Sequence, residues 1–246
     1  MISIRSLEEA DANSRTVDVH GQKYLLQEFV GAAPLRGTYV DGNEANDNSR
    51  PQGFLVTQPP GSVTPPHFHE TDQFQVFVEG DGFFGKKAVS PVTVQFAGGH
   101  TPYGPIRAGD GGVRYYTLRQ RWDPGAKYMP KMRDRLVRGR QRQQIGAVEE
   151  DTLPAAGDVN IFDTEADGMF ARYIRLQPDT AVPGPDPGSG AGQYQVVIRG
   201  SLVMDGRDYG RLAVRHVSQD EAPPEIRAGA DGLDLLVMQF PRRESG

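Results

Sequence analysis

Short apolar runs, each closed by glycine or proline, recur through the first half of the chain and again towards its end. Clear examples are residues 23–30, 54–57, 74–79, 92–96 and 113–119. None of these runs has the apolar spacing of three and four residues that marks an amphipathic helix. Aromatic and β-branched residues separated by turn residues are typical of strands. The pattern therefore predicts an all-β chain of many short strands.

Two histidines one residue apart, His67 and His69, stand just before the apolar run at 74–79. Side chains alternate between the faces of an extended strand, so these two imidazoles point the same way. Gln73 and Gln75 keep that direction if the strand continues without a bulge. Two imidazoles and an amide on one face could hold a divalent metal, so the sequence supports a site here without saying what it does.

One segment breaks the strand pattern after residues 122–125. It is rich in basic residues, has a weak apolar stripe, and predicts a helix, or a helix-like connector, over about 131–144. The basic side chains suggest either an anion or nucleic-acid patch or a solvated connector between domains, and the acidic total favours the connector. Those side chains are Lys127, Lys131, Arg133, Arg135, Arg138, Arg140 and Arg142, against only Asp134.

The strand pattern then repeats at a constant offset of 120 residues. Residues 72–80 align with 192–200, and residues 106–112 align with 226–232. Two separate blocks that keep register without a gap indicate an internal duplication. We therefore expect two similar β-domains at 1–122 and 151–246, joined by the basic, partly helical connector at 123–150.

Composition narrows the function classes. The 246 residues carry 27 Lys+Arg against 32 Asp+Glu, a formal charge of −5, which disfavours nucleic acid as a partner. There is no cysteine, so disulfides and thiolate ligands are excluded. No apolar run is long enough for a membrane span, and the first residues do not read as a signal peptide. We expect a cytoplasmic protein with no membrane partner.

The histidine segment resembles the first motif of the cupin family. In that motif a glycine is followed by His-x-His, a glutamate and a second glycine, and Gly61, His67, His69 and Gly80 match it, with Gln73 at the glutamate position. The family's second motif is a Pro-x-Gly turn followed shortly by a third histidine and, four residues later, an asparagine. Residues 98–107 resemble a diverged copy of it, with Tyr103 at the position of the histidine and Arg107 at that of the asparagine. The resemblance implies two tandem antiparallel jelly-roll barrels, a bicupin.

What the resemblance implies for the site is a divalent metal ion, either Fe, Mn, Ni or Zn. His67 and His69 match the ligand positions directly, and Gln73 could ligate through its amide oxygen although it brings no negative charge. Tyr103 could bind the metal as a phenolate or orient a ligand by hydrogen bond. His100 could move into the site as a substitute ligand. We name Tyr103 and His100 as candidate catalytic residues. A polar pocket without metal remains the alternative.

The second copy lacks these groups. Pro187 and Ser189 replace the two histidines and Pro223 replaces Tyr103, so we expect no metal in the C-terminal half. Gln193 nevertheless matches Gln73, as Gln195 matches Gln75. Glutamines kept in a half without ligands suggest a structural role, such as hydrogen bonds that support the barrel.

Three functions stay open at this stage. The first is metal-dependent, oxygenase-like chemistry on a small organic molecule in the N-terminal barrel, as in quercetinase-like dioxygenases. The second is a metal-free isomerase-like enzyme in which Tyr103 and His67 form an acid–base pair on a sugar-like or carbonyl substrate. The third is a non-catalytic, small-molecule-binding bicupin. Fold analogy alone cannot separate them. A homodimer is compatible with the edge strands of such barrels.

Overall fold

The computed structural model describes residues 1–139 and 141–242, and almost all of its regular structure is strand. The helical elements are short: α1 (Leu7–Asp11) and 3-10 turns at Asn43–Asn46, Arg133–Arg135, Glu150–Thr152 and Pro187–Ser189. The strands are β1 (Ile2–Arg5), β2 (Ser14–Val19), β3 (Gln22–Val30), β4 (Gln52–Gln58), β5 (Val63–Thr64), β6 (His67–Phe68), β7 (Gln73–Phe84), β8 (Lys87–Val89), β9 (Thr93–Ala97), β10 (Ile106–Arg119), β11 (Lys127–Tyr128), β12 (Gln143–Ala147), β13 (Gly157–Phe162), β14 (Phe170–Leu176), β15 (Ala181–Pro183), β16 (Gln193–Met204), β17 (Arg207–Tyr209), β18 (Val214–Val217) and β19 (Glu225–Gln239).

The strands form two antiparallel barrels, each with its own core. In the N-terminal barrel the order is β12-β9-β7-β10-β4-β3-β2, with β5 beside β10 and β8 beside β7. In the C-terminal barrel the order is β1-β18-β16-β19-β14-β13, with β15 beside β19 and β17 beside β16. The all-β class and the two antiparallel barrels predicted from the sequence are confirmed.

The two compact units differ from the predicted domain ranges in the first 12 residues and in the connector. One unit comprises residues 13–147, and the other comprises residues 1–12 together with the chain from 148 onwards. The physical reason is edge pairing. β1 pairs with β18 in the C-terminal barrel, and the connector strand β12 pairs with β9 in the N-terminal barrel. Each added strand covers an edge that would otherwise expose unpaired backbone groups.

The helix predicted for 131–144 is wrong. Within that range the described chain is helical only at the 3-10 turn Arg133–Arg135, and its last residues belong to β12. The weak apolar stripe of this segment could not stabilise a helix by itself. Ile145 of β12 instead packs against the core of the N-terminal barrel, where tertiary pairing overrides local propensity.

The duplication is visible in the strands themselves. β7 and β16 each have twelve residues and begin at Gln73 and Gln193, so the offset of 120 is kept. Both strands contain a glycine in the left-handed region, Gly80 with φ 74° and Gly200 with φ 69°. A Cβ at either position would collide with a backbone carbonyl oxygen of the paired strand, from Gly112 or Gly232. Both barrels thus need glycine at the same place.

In the part of the chain that the structure describes, no helix has the length and apolar character needed to cross a membrane.

Candidate functional site

Two backbone pairings bring His67 and Tyr103 together inside the N-terminal barrel. β6 pairs with β11, so that Tyr128 lies opposite His67. His67 and Tyr103 form a second, isolated bridge, in which each backbone N–H donates to the carbonyl oxygen of the other, at 3.1 and 2.9 Å. The ring centroids of His67 and Tyr103 are 4.5 Å apart, and those of His67 and His69 are 5.3 Å apart.

Both histidine rings are anchored through Nδ1. His67 Nδ1 lies 2.8 Å from the carbonyl oxygen of Pro65, and His69 Nδ1 lies 2.6 Å from Oδ1 of Asp123. A carbonyl oxygen only accepts, so Nδ1 of His67 carries the hydrogen and its Nε2 is an acceptor. Burial lowers the pKa of His67 to about 3, with His69 acting in the same direction. Burial and then the charge of Arg119 lower the pKa of His69 as well, so both rings are neutral.

The side chain of Arg119 lies among these residues, and the sequence analysis missed it. It is 1% exposed and stands at the end of β10. Its Nη2 donates to Nε2 of His69 at 3.1 Å, and its Nε and Nη2 donate to Oε1 of Gln73 at 3.2 and 3.0 Å. Its Nη1 donates to Oε1 of Gln52 at 3.2 Å. A guanidinium cation therefore occupies the acceptor atoms of two of the three predicted metal ligands.

Both the oxygen and the nitrogen of the Gln73 side-chain amide form hydrogen bonds. Its oxygen accepts from Arg119, and its nitrogen donates to the hydroxyl of Tyr103. The C-terminal barrel repeats the arrangement: Gln193 donates to Oε1 of Gln239 at 2.8 Å, and Gln239 stands 120 residues after Arg119. The contact between β7 and β10 is thus kept in both barrels, which favours a supporting role for Gln73 over a ligand role.

Asp123 is a second residue of the candidate site that the sequence did not single out. Besides His69, its Oδ1 accepts from the backbone N–H of Gly125 at 2.9 Å. Its Oδ2 accepts from the N–H groups of Glu70 and Thr71, at 3.0 and 3.3 Å. Burial would raise the pKa of this carboxyl, but the interaction with His69, the charge of Arg119 and the hydrogen bonds together lower it well below its usual range. Asp123 is therefore ionised and fixes the orientation of His69.

Tyr103 is a neutral phenol at this site. It is 5% exposed, and its ring stacks on Phe84 with centroids 5.5 Å apart. Burial raises the pKa of its hydroxyl well above the usual range. Because Gln73 Nε2 donates to this hydroxyl, the phenolic hydrogen can be donated to a bound molecule.

His100, which we expected to reach the site, lies elsewhere. Its ring packs at 5.8 Å from Phe68, the residue whose side chain alternates with those of His67 and His69. The backbone N–H of Val137 donates to its Nδ1 at 3.3 Å. The described contacts of His100 are thus with Phe68 and Val137 and not with His67, His69 or Tyr103, and its role as a substitute ligand or catalytic group stays a prediction.

A cavity of about 80 Å³, lined by side chains of the N-terminal barrel and partly open to solvent, lies beside these groups and is named the inner cavity. Its wall is mainly apolar, and Gln75 is its least satisfied polar side chain: the described residues provide no hydrogen bond to the buried Oε1. Gln95, opposite Gln75 on β9, also has no partner for its amide among the described residues. Besides Gln75, the residues that line the cavity include His67, His69, Tyr103, Tyr115, Thr117, Arg119, Leu26, Phe54 and Val56.

Comparison with solved structures identifies the architecture. A presumed dioxygenase from Nostoc punctiforme aligns with a TM-score of 0.67 at 9% identity, over 100% of this chain and 85% of that chain. Salicylate 1,2-dioxygenase from Pseudaminobacter salicylatoxidans gives 0.59 at 12%, over 97% and 84%. Escherichia coli pirin YhhW in complex with nickel(II) gives 0.57 at 14%, over 99% and 100%. These are cupin-fold proteins. The chain has the two-barrel cupin fold.

The neighbours include dioxygenases and a nickel complex, but at these identities the similarity establishes the fold alone. No family model and no curated protein sequence matches the chain.

The donor set of the N-terminal barrel does not fit a divalent metal as it is arranged. In the described ranges, no group of three or more histidine, cysteine or acidic side chains is placed to hold one. His67 and His69 present Nε2 as metal-binding histidines do, with Nδ1 anchored. However, the guanidinium of Arg119 already donates to His69 Nε2 and Gln73 Oε1, and a second cation there would be repelled.

The positions of the C-terminal barrel that match the site hold different chemistry. Pro187 and Ser189 lie in the 3-10 turn Pro187–Ser189, and the Ser189 hydroxyl accepts from Nε2 of Gln239 at 2.8 Å. The remaining histidine of this barrel, His216, lies in β18 with its ring 4.9 Å from that of Tyr194. Burial lowers its pKa to about 4, so it is a neutral core histidine.

Proposed function

We propose that the N-terminal barrel binds a small, uncharged organic molecule with a carbonyl or hydroxyl oxygen, and that this binding needs no metal ion. The observation that supports this most directly is the position of Arg119 between His69 and Gln73. The guanidinium uses acceptors that a metal would need, and it leaves His67, Tyr103 and Gln75 among the polar groups that face the cavity.

The size of the inner cavity limits the ligand. About 80 Å³ is well below the roughly 300–1,000 Å³ of sites that enclose a drug-sized molecule. The ligand is therefore a compound of a few heavy atoms, or the terminal group of a longer one. The apolar wall favours a carbon skeleton over a strongly hydrated ion.

The polar groups of the cavity complement an oxygenated ligand. The Tyr103 hydroxyl supplies a donor for a carbonyl or hydroxyl oxygen. His67 Nε2 and Gln75 Oε1 supply acceptors for a hydroxyl hydrogen, and Gln75 Oε1 has no hydrogen-bond partner among the described residues. A buried acceptor without a partner is costly, so a ligand that satisfies Gln75 gains affinity.

Proton transfer is less well supported than binding. His67 is deprotonated near neutral pH and can accept a proton, but a pKa of about 3 makes it a weak base. General-base catalysis is most effective when the pKa lies near the working pH. The geometry thus favours a binding role for His67 and Tyr103 over isomerase-like turnover.

Ligand binding can be tested with acetone as a carbonyl probe, followed by saturation-transfer NMR. Tyr103→Phe keeps the ring and removes the donor, so we expect acetone to bind about 5–10-fold more weakly. Tyr209→Phe, the same change in the other barrel, serves as the control and should bind as the wild type does. Equal binding by wild type and Tyr103→Phe would contradict the proposal.

Metal-dependent, oxygenase-like chemistry is the second candidate. It is favoured by the Nδ1 anchoring of His67 and His69 and by the dioxygenases among the structural neighbours. A divalent ion bound there would polarise a substrate oxygen. For His69 to be a ligand, Arg119 must first leave its Nε2.

Elemental analysis after reconstitution with Fe, Mn, Ni and Zn separates the two candidates. We expect no stoichiometric metal in the wild type, and uptake of Ni(II) in Arg119→Ala, which frees His69 Nε2 and removes the competing charge. A full equivalent of metal in the wild type that is lost in His67→Ala/His69→Ala would overturn metal-independent binding and establish the second candidate.

A further inference from the structure

A buried arginine without a carboxylate partner lies in the C-terminal barrel. Arg215 is 2% exposed and stands in β18 opposite Gln195. Its Nε and Nη2 donate to Oε1 of Gln195 at 2.8 and 2.5 Å, and its Nη1 donates to the carbonyl oxygen of Glu225 at 3.1 Å. All of these acceptors are neutral, and no described acidic side chain forms an ion pair with it.

An uncompensated cation in this position is unusual, because moving a charge out of water is costly unless an opposite charge accompanies it. Burial lowers the pKa of Arg215 to about 10, and no neighbouring charge opposes that effect. The equivalent position of the N-terminal barrel, 120 residues earlier, holds the neutral Gln95. The charge is thus particular to the C-terminal barrel, and the repeated architecture does not require it.

The guanidinium still has donors to offer. Of its five N–H groups, the three described hydrogen bonds use the one on Nε and one on each terminal nitrogen. One N–H on Nη1 and one on Nη2 are left. This pair of charged donors, the fork of Arg215, is available to the oxygens of a carboxylate.

An open cavity of about 500 Å³ adjoins this guanidinium. Ile2, Val203, Met204 and Pro224 give it an apolar wall. At its rim, Arg227 Nε is paired with Glu225 Oε1 at 3.0 Å, so that Arg215 is the cation on the wall without an ion-pair partner among the described residues. The exposed Asp205 also lies at this cavity and disfavours a ligand with a second negative charge.

We propose that this cavity is a binding site for a small organic monocarboxylate. Its carboxylate is held by the fork of Arg215, and its apolar body lies against Ile2, Val203 and Met204. The site is distinct from the one in the N-terminal barrel, and neither proposal depends on the other.

Isothermal titration calorimetry with butyrate tests the proposal, with butyramide as the uncharged control of the same shape. Arg215→Gln places in β18 the residue that β9 carries at the equivalent position and can keep a hydrogen bond to Gln195. We expect butyrate to bind the wild type, and binding to weaken at least about tenfold in Arg215→Gln because the charge-assisted fork is lost. Arg215→Lys keeps the charge without the fork and should bind with intermediate affinity.

Three results would overturn the proposal: no butyrate binding by the wild type, equal binding by Arg215→Gln, or equal binding of butyramide. The resonance of the Arg215 Nε–H, followed by ¹⁵N NMR during the titration, locates the site and should shift with butyrate alone. Acetone binding in the N-terminal barrel should remain unchanged in Arg215→Gln, so that a failure of one proposal is distinguishable from a failure of the other.

Discussion

Three side chains from distant parts of the sequence form one buried chain of hydrogen bonds in the N-terminal barrel. Asp123 accepts from Nδ1 of His69, and Nε2 of His69 accepts from Arg119. A histidine held at both nitrogens has one tautomer and one ring orientation. In this barrel one of the two imidazoles of the His-x-His pattern is thus held by an internal cation, while the other, His67, is not.

We expect Asp123→Asn to lower the free energy of unfolding by about 2–4 kcal/mol. The asparagine amide has one oxygen, which can accept either from His69 or from the N–H groups of Glu70 and Thr71. Its NH₂ group then faces the remaining donors, and two donors cannot form a hydrogen bond. Urea denaturation measures the change, and Asp110→Asn, at an exposed position, is the control. A stability equal to that of the wild type would mean that the carboxylate does not stabilise this network.

The sequence predicted part of this residue-level arrangement. His67, His69, Gln73 and Tyr103 meet as the motif spacing suggested, because β6, β7 and the 98–107 turn are close in the chain. Arg119 and Asp123 could not be predicted from local pattern, since their contacts reach back about 50 residues along the chain. The offset of 120 offered one signal for Arg119: it aligns with Gln239 at the end of an apolar strand. His100 does not join these contacts, because its ring packs against Phe68.

At the level of elements, the two long strands β7 and β16 show how the duplication constrains the backbone. Each has a register shift near its glycine, where pairing with β10 or β19 is interrupted. A bulge of this kind lets a long strand bend round a barrel. The left-handed φ and the close backbone approach make glycine the residue that fits there.

Gly80→Ala and Gly200→Ala should therefore each destabilise their own barrel by about 2–3 kcal/mol, since each adds a backbone collision to an unfavourable φ. Thermal or urea unfolding provides the measurement. Gly111→Ala and Gly210→Ala are matched controls in the same barrels, because an added Cβ there meets no atom within 4 Å. If the controls lost as much stability as the two strand variants, the bulge argument would fail.

The connector shows where element prediction from sequence reaches its limit. Its basic composition is compatible with a solvated helix, but its last residues form the strand β12 because they pair with the open edge of β9. A local sequence pattern does not show that this edge is open. β12 and β1 take equivalent places in the two barrels, beside β9 and β18. The repeat revealed the two barrels, but these edge strands lie outside the aligned blocks, so the domain boundaries could not be derived from them.

At the scale of the whole molecule, the N-terminal barrel carries two buried neutral histidines, His67 and His69, and the C-terminal barrel carries His216, so stability depends on pH. The pKa values of His67 and His216 are lowered from about 6.5 to about 3 and about 4. Between these values and 6.5 the unfolded chain binds more protons than the folded one, so stability is full above pH 6.5 and falls as the pH falls. From pH 7 to pH 5 each histidine should cost about 2 kcal/mol.

Urea denaturation at pH 7 and pH 5 tests this at the scale of the molecule. His216→Gln should remove about 2 kcal/mol of the pH dependence from the C-terminal barrel and leave that of the N-terminal barrel unchanged, because each barrel has its own core and its own buried imidazole. His67→Gln should do the reverse, and the exposed His20→Gln should alter neither. If stability instead rose between pH 7 and pH 5, the two imidazoles would have to be charged in the folded state. The neutral acceptor that our proposed site requires at His67 would then be absent.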